Sequence, residues 1–268
     1  MKTVAVLSAV VLLYIASAFF YPDVSRFAKH NPEKTAFMEY RQRQWADAGR
    51  KMHIIKSWVP LSRVSPFLIK AVLIGEDDKF WGHGGFDFDA IETAVEKDIK
   101  AGKLKFGAST ISQQLAKNLF LSPSKNPVRK IREAILTWRL ENKLSKRRIL
   151  ELYLNSAEWG DGIFGIEEAA RHYYGKPAAA IGPDEAAHLA AVLPNPIKFN
   201  PLGASRYVQN RSRIIYNIMV RRGIVIPEYE DVMKAAASQS GNDNRSAGAD
   251  NSSADKSGQP KDNGTDRI

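Results

Sequence analysis

The chain has 268 residues, 44% of them apolar, enough for one sizeable core or two small ones. It has no cysteine, which excludes disulfide staples, thiolate metal sites and a cysteine nucleophile while leaving the compartment open. Lysine and arginine number 39 against 29 acidic residues, and the formal charge of +10 predicts attraction to a phosphate-rich partner: nucleic acid, an anionic membrane or a pyrophosphate-bearing substrate.

The first predicted element is a membrane span. No residue from Thr3 to Tyr21 is charged, and that run is about as long as a bilayer-crossing helix. We read residues 1–21 as an uncleaved signal anchor, because the apolar run continues through Phe19 and Phe20. A cleaved leader is the competing reading, since Ala16-Ser17-Ala18 resembles a cleavage site. Flanking charge conflicts with an outward-facing domain: Lys2 precedes the span, whereas Arg26, Lys29 and Lys34 follow it.

Residues 22–50 read as a polar juxtamembrane segment, and the folded domain is placed at 51–234. Asp89 and Glu92 open a helix ending at Gly102, with Ile91, Val95 and Ile99 along one side. In GASTISQQLAKN (107–118), a helix capped by Ser109 sets Thr110, Gln114 and Lys117 on one face, beside an apolar stripe of Ile111, Leu115 and Leu119. Asn126-Pro127 opens a longer helix with Ile131, Ile135 and Trp138 inward. Ser145 caps KRRILELYLN, Pro183 begins a helix that ends before Pro194, and a last amphipathic helix runs from Ser205 to Gly223. No alternation long enough for a large sheet appears, so the domain is expected to be mainly α. Beyond residue 234 the chain is rich in Ser, Asn, Asp and Gly, and 235–268 is expected to be a disordered tail.

Three stretches could carry chemistry. GEDDKFWGHGG (75–85) sets three consecutive acids beside Phe80, Trp81 and His83. It reads either as an acidic turn feeding a loop or as a carboxylate tuned by apolar rings for general-base work. A single histidine among acids lacks a characteristic metal-ligand spacing. The uncharged donors of 107–118 suit either a solvated face or a polar ligand. From Lys125 to Arg148 nine basic residues face only Glu133 and Glu141. Arg129 and Lys130 lie one helical turn before Glu133, as either a solvated face or a phosphate dock. A nucleic-acid binder would want aromatic platforms among these charges, and only Trp138 qualifies.

In order, EDDKFWGHGG, GASTISQQLAKN, RKIRE and ILELYLN match EDxxFxxHxG, GxSTxxQQxxKN, RKxxE and the motif that follows them. The chain thereby resembles the peptidoglycan glycosyltransferases, with the monofunctional, membrane-anchored members nearest in size. The likeness covers about 60–222 and departs from the usual pattern at Phe106, where many relatives carry glycine.

The resemblance implies a lysozyme-like, mainly helical fold with a groove and a mobile, partly apolar segment near 86–106. It implies polymerisation of lipid II into β-1,4-linked glycan strands with inversion and release of undecaprenyl pyrophosphate. Glu76 would be the general base and Glu133 the second catalytic carboxylate. Asp77, Phe80, His83, Ser109, Thr110, Gln113, Gln114, Lys117, Asn118, Arg129 and Lys130 would bind substrate. The chemistry needs no cofactor, with room for Mg2+ or Mn2+ at the pyrophosphate. Expected partners are lipid II, the growing strand, the membrane and other cell-wall synthesis or division proteins, but no nucleic acid. The expected location is the inner membrane, with the domain on its periplasmic face. Two other readings are a lysozyme-like hydrolase of glycan strands and a basic, membrane-tethered binding module without catalysis.

Overall fold

The computed structural model describes residues 2–102, 109–123, 126–226 and 229. These are mainly helical, as the sequence predicts. Helix α1 (Lys2–Ala16) runs into a 3-10 turn (Ser17–Phe19). The 18 residues from Lys2 to Phe19 have a mean hydropathy of 2.0 and are long and apolar enough to cross a bilayer, which fits a single-pass anchor.

The polar segment after the anchor departs from expectation. Helix α2 (Ala36–Asp47) is capped by Thr35, whose side chain accepts from the Met38 N–H at 3.1 Å. Met38 and Trp45 share a buried cluster with Phe164, and the Phe27 ring lies 5.7 Å from that of Phe120. Residues 24–47 therefore belong to the fold that was expected to begin at 51. Their few apolar side chains are too widely spaced to mark a face in the sequence, and they are enclosed by partners distant along the chain.

Helix α3 (Pro66–Glu76) begins with proline in its first turn, where the missing N–H costs nothing, and ends on Glu76. Helix α4 (Phe88–Ala101) starts where Asp87 accepts from the Ala90 N–H at 2.9 Å. Its expected apolar side forms, but Val95 and Ile99 are exposed. Helix α5 (Ile111–Phe120) is capped by Thr110 rather than Ser109. The Thr110 hydroxyl accepts from the Gln113 N–H, and the Gln113 side chain accepts from the Thr110 N–H, a reciprocal pair that fixes the start one residue later. Ile111, Leu115 and Leu119 are buried as predicted.

Helix α6 (Pro127–Lys143) has Asn126 as its cap, as expected, but a different inward face. Ile131 and Trp138 are about half exposed, while Glu133, Leu136, Thr137 and Leu140 are buried. The rotation follows from what α6 must meet. Arg132 bonds the Tyr14 carbonyl and Ser17 Oγ, and Arg139 donates to the Ala18 carbonyl at 2.9 Å, so these cations satisfy carbonyls at the end of the anchor. Helix α7 (Lys146–Ser156) is capped by Ser145. Strands β1 (Glu158–Gly160) and β2 (Ile163–Phe164) form an antiparallel ribbon before α8 (Ile166–Tyr174).

Helices α9 (Pro183–Val192) and α10 (Arg206–Arg221) lie close to their predicted limits. α9 packs between α3 and α10, its fully buried Ala186, Ala187, Ala190 and Ala191 allowing close approach. α5 packs on α2, α6 and α7. The ends of α3 and α5 are thereby set on rigid supports. Residues from Gly223 form a separate unit, of which 223–226 and 229 are described. The predicted tail, 235–268, lies outside the described residues, as do 103–108.

Candidate active site

The three motifs converge. Glu76 closes α3, and its carboxylate is largely buried between α5 and α10. One oxygen, Oε2, accepts from Gln114 Nε2 at 2.8 Å, and Oε1 accepts from an Arg211 guanidinium N–H at 3.0 Å. The Gln114 carbonyl in turn accepts from the Tyr153 hydroxyl at 3.0 Å. Burial pushes the Glu76 carboxyl above its ordinary range, against the hydrogen bond from Gln114 and the charges of Arg211 and Lys117. A cleft of about 490 Å3 opens beside it, walled by Asp78, Lys79, Thr93, Lys97 and Ser109.

Lys117, one turn beyond Gln114 on α5, is also largely desolvated. Burial lowers its ammonium below the usual value, and although Glu133 and Glu76 oppose that shift, Arg129 and Lys130 add to it. Among the described residues it forms no ion pair within 4.0 Å. Glu133 is 2% exposed and carries two partners: Arg129 at 2.6 Å and Lys130. Lys130 also reaches Ser109 Oγ at 3.3 Å. The arrangement is a carboxylate holding two cations in place near an ammonium that makes no direct ion pair among the described residues, and such a group of charges stabilises an anion.

Several residues expected to bind substrate have other work here. Phe80 is fully buried and offers no surface to a ligand; it packs against Trp81 and His83, with Lys146 Nζ 4.4 Å from its ring centre. Asp77 is buried with both oxygens engaged, by His83 Nε2 at 2.8 Å and by the Ile111 N–H at 2.9 Å. His83 Nδ1 accepts from the Gly85 N–H at 3.1 Å, which leaves its hydrogen on Nε2 facing Asp77. The acid–histidine pair therefore ties the 75–85 loop to the N-terminus of α5, where a carboxylate meets orphan N–H groups.

Thr110 serves as the cap, and its hydroxyl also donates to the Gly85 carbonyl at 2.7 Å, while Gln113 completes the box. The expected polar face of α5 thus reduces to Gln114 and Lys117, with Asn118 buried beside them.

The sequence reading missed Arg211 and Tyr153. Both left a signal. Tyr153 puts a hydroxyl into the apolar ILELYLN run, and Arg211 sits beside the buried stripe of Val208, Ser212 and Ile215 on α10.

A divalent cation finds no ready cage in this set. The described residues contain no group of three or more potential ligands, and the carboxylates of Asp77 and Glu133 are occupied by donors.

Residues 46–220 match the family model described as Transglycosylase, more than half of the chain. The chain is 47% identical over 210 residues to a biosynthetic peptidoglycan transglycosylase of Azoarcus sp. (strain BH72), covering 78% of this chain and 91% of that one. Proteins of the same description from Nitrosospira multiformis and Neisseria gonorrhoeae are 42% identical over 215 residues and 43% identical over 203. These alignments cover 80% and 76% of this chain, and 94% and 87% of the respective relatives. With the first two motifs on the wall of one cleft, the third reaching it through Lys130 and Ser109, the fourth through Tyr153 and Gln114, and the match running from α2 to α10, the chain belongs to the transglycosylase family.

Proposed function

We propose that this protein polymerises lipid II into linear glycan strands from a membrane anchor. The observation that carries the reading is the largely buried carboxylate of Glu76 on the wall of the cleft, bonded at 2.8 Å by Gln114 of α5, one turn before Lys117, an ammonium with no ion-pair partner among the described residues. Glu76 accepts the proton of the 4-hydroxyl of one disaccharide as that oxygen attacks the anomeric carbon of the donor. The bond to undecaprenyl pyrophosphate breaks on the opposite face, which inverts the anomeric centre. Lys117, Arg129 and Lys130 offset the charge that develops on the leaving pyrophosphate, and Glu133 fixes the last two. A base with a raised pKa is also better matched to a hydroxyl proton than an ordinary surface carboxylate.

The test is incubation of the purified full-length protein with labelled lipid II, followed by separation of polymer from monomer. Polymer formation supports the reading; shortening of preformed strands without polymer formation points instead to a glycan hydrolase.

The same proposal places the domain on the periplasmic face, where the lipid-linked substrate is presented, with α1 retained. Retention is supported by the bonds from Arg132 and Arg139 to the end of the span and by the complete burial of Ala18. A folded domain of this length can be translocated despite a few adverse flanking charges. Protease added to intact spheroplasts should digest the domain, and protection would contradict the placement.

A further inference from the structure

We infer that Arg211 is a positioning residue for Glu76, holding the carboxylate and the end of α3 in one grip while Tyr153 holds the opposite side through Gln114. The inference rests on the proposed role of Glu76 as the base. One terminal nitrogen of Arg211 donates to the Gly75 carbonyl at 2.6 Å and to Glu76 Oε1 at 3.0 Å. That carbonyl lies in the last turn of α3, where no helical N–H remains to meet it, and a guanidinium there also complements the helix dipole. On the other oxygen, Gln114 donates at 2.8 Å, and its amide is held in register by the Tyr153 hydroxyl at 3.0 Å.

Each carboxylate oxygen thus has one protein donor and keeps a second lone pair for an incoming hydroxyl. The carboxylate plane is thereby held from two helices, α5 and α10.

Arg211 acts from behind. It lines a separate, mostly apolar groove of about 320 Å3 with Ile74, Tyr207 and Ile214, whereas Glu76 lines the cleft. The guanidinium is not there for stability alone, because its Nε is buried with no hydrogen-bond partner among the described residues, an arrangement that costs the fold.

Its charge has a second effect. Glu76 faces Arg211 from α10, Lys117 from α5, Tyr153 from α7 and its neighbour Asp77. Around the cleft, Lys79 and Lys97 stand against Asp78, Asp87 and Asp89. Arg211 is the only cation among these in direct contact with the Glu76 carboxylate, and it limits the rise that burial imposes.

The experiment measures lipid II polymerisation by the full-length protein in detergent from about pH 5 to about pH 9. Arg211→Met should lower kcat about tenfold on the acid side, move the acid limb to higher pH, and leave KM within about twofold, because a base without its cation holds its proton more tightly. Arg211→Lys should restore most of the loss, and Tyr153→Phe should lower kcat without moving the acid limb. An unmoved acid limb in Arg211→Met would overturn the inference. So would an effect confined to KM, or equal loss in the lysine variant with a parallel fall in melting temperature. Glu76→Gln is run beside these variants. Full activity there would remove the underlying reading, whereas an inactive Glu76→Gln with an indifferent Arg211→Met would remove this inference alone.

Discussion

Replacing Gly85 with alanine tests how the 75–85 loop is built. Gly85 has φ +95°, and a Cβ placed on it would sit 2.9 Å from both Thr137 Cγ2 and Glu141 Cγ of α6. The backbone there is also engaged: its N–H donates to His83 Nδ1 and its carbonyl accepts from the Thr110 hydroxyl. An L-residue held at positive φ costs about 1–2 kcal/mol. Forcing a methyl into an occupied site costs about 1–3 kcal/mol more, since Thr137 is buried and Glu141 is held by Lys146 at 2.7 Å. The sum, about 2–5 kcal/mol, corresponds to a fall in melting temperature on the order of 5–15 °C for a domain of this size. Gly84 is the control, because a Cβ there meets nothing within 4 Å and its φ lies outside the strained region. Thermal unfolding of the two alanine variants in detergent, with lipid II polymerisation measured alongside, decides the matter. The reasoning is refuted if Gly85→Ala melts within about 1 °C of Gly84→Ala.

Glu76→Gln should abolish polymerisation, a loss of about a hundredfold or more, without lowering the melting temperature. Because burial raises its folded pKa above the unfolded value, the carboxyl favours the fold below the unfolded pKa and ceases to do so as pH rises through the folded one. At neutral pH a neutral isostere is therefore no worse, and a lower melting temperature would contradict this. For the same reason the parent's rate should begin to fall, on acidification, at a higher pH than an ordinary exposed glutamate would give; a limb within the usual carboxylate range would count against Glu76 as the base. Lys117→Ala should weaken donor use strongly, because it removes a desolvated charge, whereas exposed Arg147→Ala should be mild; equal losses would point to general membrane attraction. Asp78 is half exposed, and its hydrogen bonds to Arg222 at 2.6 and 2.7 Å hold its carboxyl below the usual range. Their stabilisation is present above the unfolded pKa and lost as pH falls through the folded one, and solvent screening keeps Asp78→Asn to about 0–1 kcal/mol in chemical denaturation at neutral pH.

The tests of Gly85 and Glu76 separate two jobs within one motif. Asp77, Phe80, His83 and Gly85 assemble the loop and the start of α5, both Asp77 oxygens being taken up by His83 and the Ile111 N–H, while the Glu76 carboxylate beside the cleft keeps lone pairs for a substrate hydroxyl. A substitution at the first four should therefore move stability and activity together, whereas one at Glu76 should move activity alone.

What the sequence determined by itself was local. The start of α7 at Ser145, the proline starts of α6 and α9, the extent of α10 and the apolar stripe of α5 follow from caps, imino acids and periodicity, which act over a few residues. The ordered motifs also brought Glu76, Gln114, Lys117 and Glu133 forward as one group, because their spacing survives whatever packing surrounds them. Tertiary structure decided the rest. Periodicity could not tell that α6 turns Ile131 and Trp138 outward, because that face is set by the anchor's carbonyls more than a hundred residues upstream. Nor could composition reveal that Val24, Phe27, Met38 and Trp45 complete the core, since each meets its partners only in the folded chain. The roles of Asp77 and His83 as a brace, and of Arg211 as a grip on Glu76, depend on contacts of 2.8–3.0 Å made across turns and between helices. Hydrogen bonds that short are specified by the positions of whole elements, and only packing fixes those positions.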